Sequence, residues 1–406
     1  MPVFGHRMRA EWALDPGTLY LNHGTVGATP RRVLARQQSI RDEMEKQPAR
    51  FLLRECSGLV GAPRTAPTLL RLAAAEVADF CGCDGDDLVF VDNATAGVNA
   101  VLQSLELRAG DEILVTDQTY GAVTTAAAFF ASRAGARVVT ATVPYPRFDR
   151  EQMMQSISQA LTSRTRLAIL DHVSSESALV MPLAELAAIC HARGVPVLGD
   201  GAHAPGAIAL DLRSLGVDWY AANLHKWAWA PRSCGILWAA RERQPSLHPV
   251  VISWGLGEGY TREFDWVGTR DPSAWLAAPE GIAFMRDLGV GAVQRWNHDL
   301  AWQAAQLLGR AWGTEYGIDE RCTGTMATVG LAPELGSSPA DATRLRDALL
   351  DEEAIEVQLH AWGGRLWVRV SAQIYNEISD FERLAAAVAR RRAGGVPARP
   401  GTPSQG

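Results

Sequence analysis

The stretch VLGDGAHAPGAIALDLRSLGVDWYAANLHKWAWAP, residues 197–231, contains two short apolar runs, and each is followed by reactive side chains. The first run, 195–200, ends in Asp200, and the second, 218–223, is followed by a His-Lys pair that ends at Lys226. Apolar runs of this length between helical patterns are typical of strands in a sheet that helices cover on both faces. Ligands of such open sheets bind outside the carboxyl ends of the strands, so Asp200 and Lys226 are expected at one site.

The same alternation extends on both sides of this stretch and predicts an α/β fold. Strands are predicted at 87–92, 112–117, 165–173 and 234–239, and helices at 96–107, 122–135 and 182–194. After about residue 245 the rhythm changes, with helices at 271–289, within 290–313, at 339–352 and at 376–393, and strands at 326–331, 355–362 and 365–372. Helices packed outside a few paired strands are typical of a smaller α+β domain.

Three regions follow from this pattern. We predict a large domain at 1–245, which includes an N-terminal segment at 1–28, and a small C-terminal α+β domain at 246–393. The remaining residues, 394–406, are rich in Gly, Pro and Ser and are predicted to be a disordered tail.

Composition excludes several classes of protein. The 406 residues carry a net charge of −6 with no basic block, so nucleic acid is not an expected partner. No run of about 18 apolar residues is present, so no membrane span is predicted, and the start of the chain has no apolar signal region. Only Cys81 and Cys83 are close together, with no second Cys/His pair at zinc spacing. We therefore expect reduced thiols, no metal site and a cytoplasmic protein.

Lys226 and Asp200 are the main candidates for chemistry. An amine in the apolar setting of Trp227 and Trp229 has a lowered pKa and can act as a nucleophile towards an aldehyde cofactor. A carboxylate at the end of a buried strand needs a partner, and the protonated pyridine nitrogen of pyridoxal 5′-phosphate (PLP) supplies one. The structural alternatives are a lysine whose amine extends to solvent and an aspartate that caps the next turn.

Four further residues follow predicted strands and admit both functional and structural interpretations. His203 could bond the cofactor's phenolic oxygen or could be an ordinary turn histidine, and His225 could donate to a phosphate or could shape the lysine loop. Thr95 lies where a strand turns into a helix, which suits phosphate binding but is also a common capping position. Tyr120 could stack on a flat ring or could belong to the core or rim.

Arg369 lies in the strand Leu366-Trp367-Val368-Arg369-Val370-Ser371. Strand alternation places Arg369 on the face opposite Val368 and Val370. An arginine on such a face is usually solvated, and the functional alternative is a bidentate clamp on a substrate carboxylate.

Together these residues resemble the class V aminotransferase family of fold-type I PLP-dependent enzymes, over about residues 18–390. The segment 197–231 is the most specific match. Within the family, the chain is most similar to isopenicillin N epimerase-like members in YLNHGTVGATP (20–30), FLLRE (51–55), DGAHAPG (200–206) and GTRDPSAWLA (268–277). The resemblance implies the fold-type I PLP-dependent transferase fold, with a seven-stranded, mostly parallel sheet in the large domain.

The resemblance also implies roles for individual residues. Lys226 would form the Schiff base with PLP and move the α-proton, Asp200 would pair with the pyridine nitrogen, and Tyr120 would stack on the ring. The remaining roles are phosphate binding by Ala94, Thr95 and His225, contacts on the O3′ side by His203 and Ser175, carboxylate binding by Arg369, and positions near the substrate mouth for Asn22 and His23. Thr269 would reach the phosphate of a neighbouring subunit, which implies a homodimer with shared active sites.

The sequence departs from the family pattern at two places. The first argues against a desulfurase that uses a nucleophilic cysteine, and the second concerns the loop after Lys226. Cysteine desulfurases of the family carry a nucleophilic cysteine shortly before the carboxylate-binding arginine, and residues 355–369 contain none. Arg232 adds a charge after the lysine, where it could touch the phosphate or be solvated.

The expected substrate is an amino acid or an amino-acid-derived molecule, and the expected chemistry is at its α-carbon. Epimerisation leads among the reactions, and β-elimination at a carbon–sulfur bond and amino transfer remain open. A dinucleotide enzyme would need G-x-G-x-x-G after a strand, and none stands at the right place. A non-catalytic scaffold of the same fold would not require Lys226 and Asp200, and both are present.

Overall fold

The computed structural model of the protein describes residues 3–60, 66–314 and 316–394. The strands are β1 (Leu19–Tyr20), β2 (Leu88–Val91), β3 (Glu112–Thr116), β4 (Arg137–Ala141), β5 (Thr165–Asp171), β6 (Val197–Gly201), β7 (Trp219–Asn223), β8 (Gly235–Ala239), β9 (Met326–Gly330), β10 (Ile355–Glu356), β11 (Gln358–Trp362) and β12 (Arg365–Ser371). The helices are α1 (His23–Val26), α2 (Arg31–Lys46), α3 (Pro48–Arg50), α4 (Leu69–Cys81), α5 (Ala94–Ser104), α6 (Gly121–Ala134), α7 (Arg150–Ala160), α8 (Leu183–His191), α9 (Tyr260–Asp265), α10 (Ser273–Leu276), α11 (Ala278–Leu288), α12 (Val290–Trp312), α13 (Pro339–Glu353) and α14 (Ile378–Gly394).

A seven-stranded sheet forms the centre of the molecule, in the order β2-β8-β7-β6-β5-β3-β4. All its strands run parallel except β8, which pairs antiparallel with both β7 and β2. The sheet separates two apolar cores, because Leu114 packs into one and its neighbours Ile113 and Val115 pack into the other. The predicted α/β fold with a mostly parallel seven-stranded sheet is confirmed.

A second sheet of three antiparallel strands, in the order β11-β12-β9, lies in the C-terminal part of the chain. Val368 and Val370 of β12 pack with residues of α12, α13 and α14 into a separate apolar core. Arg369 lies between these two valines and takes the opposite face, as the alternation of a strand requires. This arrangement is the smaller α+β part of the fold.

Packing crosses residue 245, where the sequence predicts a domain boundary. The N-terminal strand β1 pairs in parallel with β10 of the C-terminal part, through Leu19 and Ile355. In the other direction, α9, α10 and α11 pack against the two faces of the large sheet. The division of the chain into 1–245 and 246–393 therefore stays a prediction.

One strand of the large sheet and one predicted C-terminal strand differ from the sequence pattern. The strand β4 was not predicted, because it lies at the sheet edge and its burial is intermediate to exposed at four of five positions. The predicted strand 355–362 divides into β10 and β11, which belong to different sheets.

The predicted tail, 394–406, lies outside the described residues except for Gly394. No helix in the described ranges has both the length and the apolar character that a bilayer crossing requires.

Trp12 joins the N-terminal segment to the rest of the fold. Its indole N–H donates to the Ala28 carbonyl at 3.0 Å, and its ring packs edge-on against Trp229 and Tyr375 at 5.5 and 5.0 Å. The side chain is buried. The segment is thus held between the loop that follows Lys226 and the chain after β12.

We expect Trp12→Ala to destabilise the protein by about 3–5 kcal/mol, because it removes a large buried side chain and its hydrogen bond. The measurement is the shift in the denaturant midpoint of unfolding. Unfolding is monitored by far-ultraviolet circular dichroism, because this backbone signal depends little on the tryptophan that is removed. Phe129→Ala is the matched control, since Phe129 is an exposed aromatic residue on α6. Equal shifts for the two variants would contradict the anchoring role of Trp12.

Candidate active site

A cavity of about 520 Å³ lies where the carboxyl ends of the central strands face the three-stranded sheet. The large sheet contributes Asp200 and the loop after β7 contributes Lys226, while β12 contributes Arg369. The cavity wall also includes Ala94, Thr95, Tyr120, Ser175, His203 and His225. These predicted site residues are thus brought together from six separate stretches of the chain.

Lys226 is held in the loop between β7 and β8. The backbone N–H groups of Leu224 and His225 both donate to the Cys234 carbonyl, at 3.0 and 3.3 Å, which closes the loop at its base. The Lys226 amine lies deep in the cavity, 3.1 Å from Nε2 of His203. Burial, followed by the positive charge of Arg369, lowers the pKa of Lys226 to about 7, against the opposing effect of Asp200. A large fraction of the amine is therefore uncharged and nucleophilic at neutral pH.

The neighbouring His203 is buried and uncharged. Burial, together with the charge on Lys226, holds the pKa of His203 well below its usual range. The Trp227 indole N–H donates to Nδ1 of this ring at 3.4 Å. Since Nδ1 accepts, the proton of the neutral imidazole lies on Nε2, next to the Lys226 amine. His203 can therefore bond an uncharged amine or an oxygen of a ligand in its place.

Asp200 is buried at the carboxyl end of β6. One of its oxygens accepts the backbone N–H of Ala202 at 3.0 Å. Burial raises the pKa of Asp200, while the Ala202 N–H and the charge of Lys226 act in the opposite direction. A carboxyl group in this position needs a cation or a donor, which a protonated ring nitrogen provides.

The start of α5 forms the wall on the predicted phosphate side. The N–H of Ala94 already donates to the Asn223 side chain at 2.8 Å, and Asn93 caps the N–H of Ala96. Among the described residues, no partner is recorded for the N–H of Thr95. The helix start therefore offers an anion the Thr95 N–H and hydroxyl, while the Ala94 N–H is already engaged.

His225 is the second predicted phosphate ligand. Its Nδ1 bonds the Cys234 carbonyl at 3.0 Å, so the proton of the neutral ring lies on Nδ1 and Nε2 is an acceptor. Burial lowers the pKa of His225 to about 4, and the charges of Lys226 and Arg232 act in the same direction. Donation to a phosphate needs a second proton on the ring, which a nearby dianion would favour. Arg232 itself is exposed.

Arg369 is buried rather than solvated. Its guanidinium donates to the Ser175 carbonyl at 2.6 Å and to the Thr25 hydroxyl at 2.7 Å, and its Nε has no partner among the described residues. Burial lowers its pKa to about 10, so it remains charged. No carboxylate of the described chain lies within ion-pair distance of it. A buried cation of this kind suits an anionic group of a ligand.

Asn22 and His23 lie behind the cavity wall rather than at its mouth. The imidazole of His23 is buried, 2.9 Å from the Lys226 carbonyl on one side and 2.9 Å from the Tyr375 hydroxyl on the other. Asn22 donates to Glu356 at 2.8 Å. Their polar groups are used in holding the N-terminal segment against the lysine loop, and Gly24 and Thr25 line the cavity instead.

Tyr120 and Thr269 both lie at the surface. Tyr120 precedes α6 and is 46% exposed, so one edge of its ring faces the cavity and the other faces solvent. Thr269 is exposed and lies outside the cavity wall. Its predicted contact with a neighbouring subunit stays a prediction, as do the roles of the other site residues.

Several residues of the wall were not predicted from the sequence. Asp171 ends β5, Asn223 ends β7, Thr25 lies within α1, and Gln358 and His360 lie on β11. Asp171 and Asn223 stand at the ends of apolar runs, which is the signal that identified Asp200. His360 carries no such signal, because its strand alternates in burial like any sheet strand.

The chemistry of this wall fits PLP. The Lys226 amine matches the aldehyde, the buried Asp200 carboxyl matches the ring nitrogen, and the Thr95 donors at a helix start match the phosphate. The described residues contain no group of three or more His, Cys, Asp or Glu side chains that could hold a metal ion.

We expect Lys226 to react with an amine-selective acylating reagent with a midpoint near pH 7 in protein prepared without cofactor. The chain contains two lysines, and the other, Lys46, is exposed with a pKa that Glu43 raises above its usual range. Mass spectrometry of the two lysine peptides across pH gives both midpoints in one experiment. Arg369→Gln should move the Lys226 midpoint upward, because it removes a nearby positive charge. Identical profiles for the two lysines would contradict the buried, uncharged amine.

The comparisons with known proteins show the family of this chain. The sequence model described as "Aminotransferase class-V" matches residues 22–384. A protein of Arabidopsis thaliana described as "Probable L-cysteine desulfhydrase, chloroplastic" is 31% identical over 92% of this chain and 83% of its own. "Isopenicillin N epimerase" of Streptomyces clavuligerus is 33% identical over 94% of this chain and 96% of its own.

A solved structure shares the fold. It is a variant of the cystine C–S lyase C-DES, with glycine covalently linked to its PLP cofactor. It has a TM-score of 0.76 and 21% identity, and the match covers 94% of this chain and 98% of that chain. With the family match over most of its length and relatives above 30% identity, this chain belongs to the class-V aminotransferase family of PLP-dependent enzymes.

Proposed function

We propose that the protein binds PLP at Lys226, removes the α-proton of an amino-acid substrate and catalyses epimerisation at that carbon. The observation that carries this proposal is the position of Arg369, a buried cation beside Lys226. No carboxylate of the described residues lies within ion-pair distance of it, and the charge of Glu176 in the cavity wall favours its charged form from farther away. An α-amino acid carries its carboxylate and its amino group on the same carbon. A site for it therefore needs a carboxylate-binding group close to the amine that reacts with the cofactor.

Arg369 binds the substrate α-carboxylate in this proposal. Its two terminal nitrogens already donate to Ser175 and Thr25, which fixes the plane of the guanidinium. A carboxylate that approaches from the cavity can accept from the terminal N–H groups of Arg369 that these two bonds leave free. The substrate Cα is thereby placed on the side of the cavity that Lys226 occupies.

Lys226 is the base that takes the α-proton. PLP, when bound, supplies an aldehyde for the substrate amine and a ring that delocalises the electrons left at Cα. A pKa of about 7 leaves a substantial fraction of the Lys226 amine unprotonated at neutral pH and able to accept the proton. His203, at 3.1 Å, orients the amine without competing for the proton, because its own pKa is far lower.

Epimerisation also requires a proton donor on the other side of Cα. The family resemblance gives Tyr120 the ring-stacking position, which puts its hydroxyl on the face opposite Lys226. Tyr120 is half-exposed at the cavity mouth, so it can exchange its proton with solvent. The similarity to isopenicillin N epimerase over 94% of the chain supports this reaction.

The second candidate is β-elimination from a cysteine-type substrate. His360 favours it, because burial lowers the pKa of this cavity histidine to about 4 and leaves a neutral imidazole near Arg369 whose N–H can donate a hydrogen bond to a leaving thiolate. The similarity to a protein named as an L-cysteine desulfhydrase supports it equally.

We expect the purified enzyme with added PLP to exchange the α-hydrogen of its amino-acid substrates for deuterium in D2O and to interconvert their two configurations. Tyr120→Phe keeps the ring but removes the hydroxyl, so epimerisation should fall roughly 10²-fold while α-exchange on the Lys226 side persists. Chiral chromatography and NMR measure the two processes separately. Release of pyruvate and sulfide from L-cysteine without epimerisation would instead establish the elimination, and His360→Gln should then slow it.

Arg369→Gln tests the substrate class itself. It should weaken binding of any α-carboxylate substrate by roughly 10²-fold, whereas the amount of PLP that the variant binds stays that of the parent. Substrate analogues with an amide in place of the carboxylate should bind parent and variant alike. An unchanged KM for carboxylate substrates would contradict the proposed binding of the substrate carboxylate by Arg369.

We also propose that two copies of the chain associate. Residues 250–256 include five exposed apolar side chains, among them Trp254 at 81% exposure. This loop adjoins Arg270, which pairs with Asp92 at 2.8 Å, just before the predicted phosphate-binding helix start. A second copy that covers the loop would therefore lie at the rim of the active site, next to Thr269.

We expect light scattering with size exclusion to give twice the chain mass of 43.9 kDa for the parent. Trp254→Glu should shift the mass to that of a single chain, because it places a charge in the covered patch. Leu350→Glu is the matched control, since Leu350 is an exposed apolar residue on α13 in the C-terminal part. A parent of single-chain mass, or a Trp254→Glu variant that remains double, would contradict the dimer.

A further inference from the structure

Asp171 is a buried carboxyl group of the active-site wall to which the proposed reaction gives no role. It ends β5, and in the parallel pairing of β5 with β6 it stands directly opposite Asp200. Neighbouring parallel strands are about 4.8 Å apart, and residues opposite each other point to the same face of the sheet. The two carboxyl groups are therefore side by side, and both line the cavity.

The hydrogen bonds of Asp171 leave one of its oxygens without a partner. The Thr119 side chain and the Tyr120 backbone N–H both bond its carboxyl group. Its Oδ2 is buried and has no partner among the described residues. A carboxyl group that accepts at one oxygen and carries a proton on the other matches this pattern, with Asp200 as the neighbouring acceptor.

The charges around Asp171 and Asp200 stabilise one ionised carboxylate but not two. Both side chains are 3% exposed, and two adjacent buried carboxylates repel each other strongly. The basic group that faces them is Lys226, which is only partly charged at neutral pH, while His203 is uncharged and Tyr220, Tyr120 and Thr119 contribute hydroxyl groups. Lys226 and the ring nitrogen of PLP act on Asp200, so Asp171 is the member of the pair that has no cation of its own.

We propose that Asp171 is a positioning residue of the cofactor site: it keeps its proton, leaves Asp200 as the single anion towards the ring nitrogen, and holds the Thr119–Tyr120 turn. Burial and the charge of Asp200 raise the pKa of Asp171 well above its usual range, in agreement with this assignment. The residue thus connects the group that pairs with the ring nitrogen to the turn that carries Tyr120. The proposal rests on the cofactor roles proposed for Asp200 and Tyr120 but not on which reaction the enzyme catalyses.

The first test detects the proton on the Asp171 carboxyl group directly. We expect the infrared difference spectrum between parent and Asp171→Asn holoenzyme at neutral pH to contain the C=O stretch of a protonated carboxyl group that is lost in the variant. The same band should persist in Asp200→Asn, because Asp171 remains buried there. Absence of the band from the parent-minus-Asp171→Asn spectrum would overturn the proposal.

The second test measures the affinity of the apoprotein for PLP and does not require the enzyme to turn over a substrate. Asp171→Asn keeps the shape and neutral charge of a protonated aspartate, so we expect the PLP dissociation constant to change by less than about threefold. Asp171→Ala removes the bonds to Thr119 and Tyr120 and should weaken PLP roughly tenfold, and Asp200→Asn should do so by at least as much.

The outcomes separate this proposal from the proposed reaction. If Asp171→Asn loses PLP as severely as Asp200→Asn, Asp171 carries a charge in the holoenzyme and the proposal is overturned. If Asp171→Ala binds PLP like the parent, the positioning role is overturned as well. Neither measurement depends on epimerisation or elimination, so a failed activity assay leaves both results interpretable.

Discussion

The uncharged amine of Lys226 is the constraint around which the site is built. Taking a lysine amine out of water penalises its charged form, and the positive charge of Arg369 adds to this penalty. The histidines next to it, His203 and His225, add little positive charge at neutral pH, because burial keeps both neutral. Asp200 is the group that opposes the shift, and its effect is smaller than that of burial. The balance leaves an amine that is a nucleophile and base near neutral pH.

The topology of the sheet explains why the amine can be held there. Because β8 runs antiparallel to β7, the loop that carries Lys226 leaves and re-enters the sheet at the same edge, where the other strands end. The N-terminal segment then closes over this loop, and Gly27 makes this possible. A side chain on Gly27 would lie 1.9 Å from the His225 carbonyl oxygen, and its φ of +70° also favours glycine. His23 completes the contact through the Lys226 carbonyl.

The sequence was sufficient to predict the centre of the fold and the chemistry at the strand ends, but not the contacts between distant segments. Asp200 and Lys226 follow buried apolar runs, and the rule for open sheets then places them together. The burial of Arg369 could not be predicted, because it depends on Ser175 and Thr25, which are 194 and 344 residues away in the chain. The same holds for His23, which the family resemblance placed near the substrate mouth and whose partners place it behind Lys226. Local pattern identifies which side chains end a strand, and only tertiary packing decides which of them remain free.

In the proposed reaction, Arg369 links the binding of substrate to the basicity of Lys226. Its charge is the largest cause, after burial, of the low pKa of the amine. In the proposed reaction a substrate carboxylate pairs with Arg369 and cancels much of that charge, so the affinity of the amine for a proton rises when the substrate is in place. A low pKa suits the amine while it must react with the cofactor aldehyde, and a higher one suits it when it must take the α-proton. The same arginine that fixes the substrate therefore also changes Lys226 from a nucleophile into a stronger base.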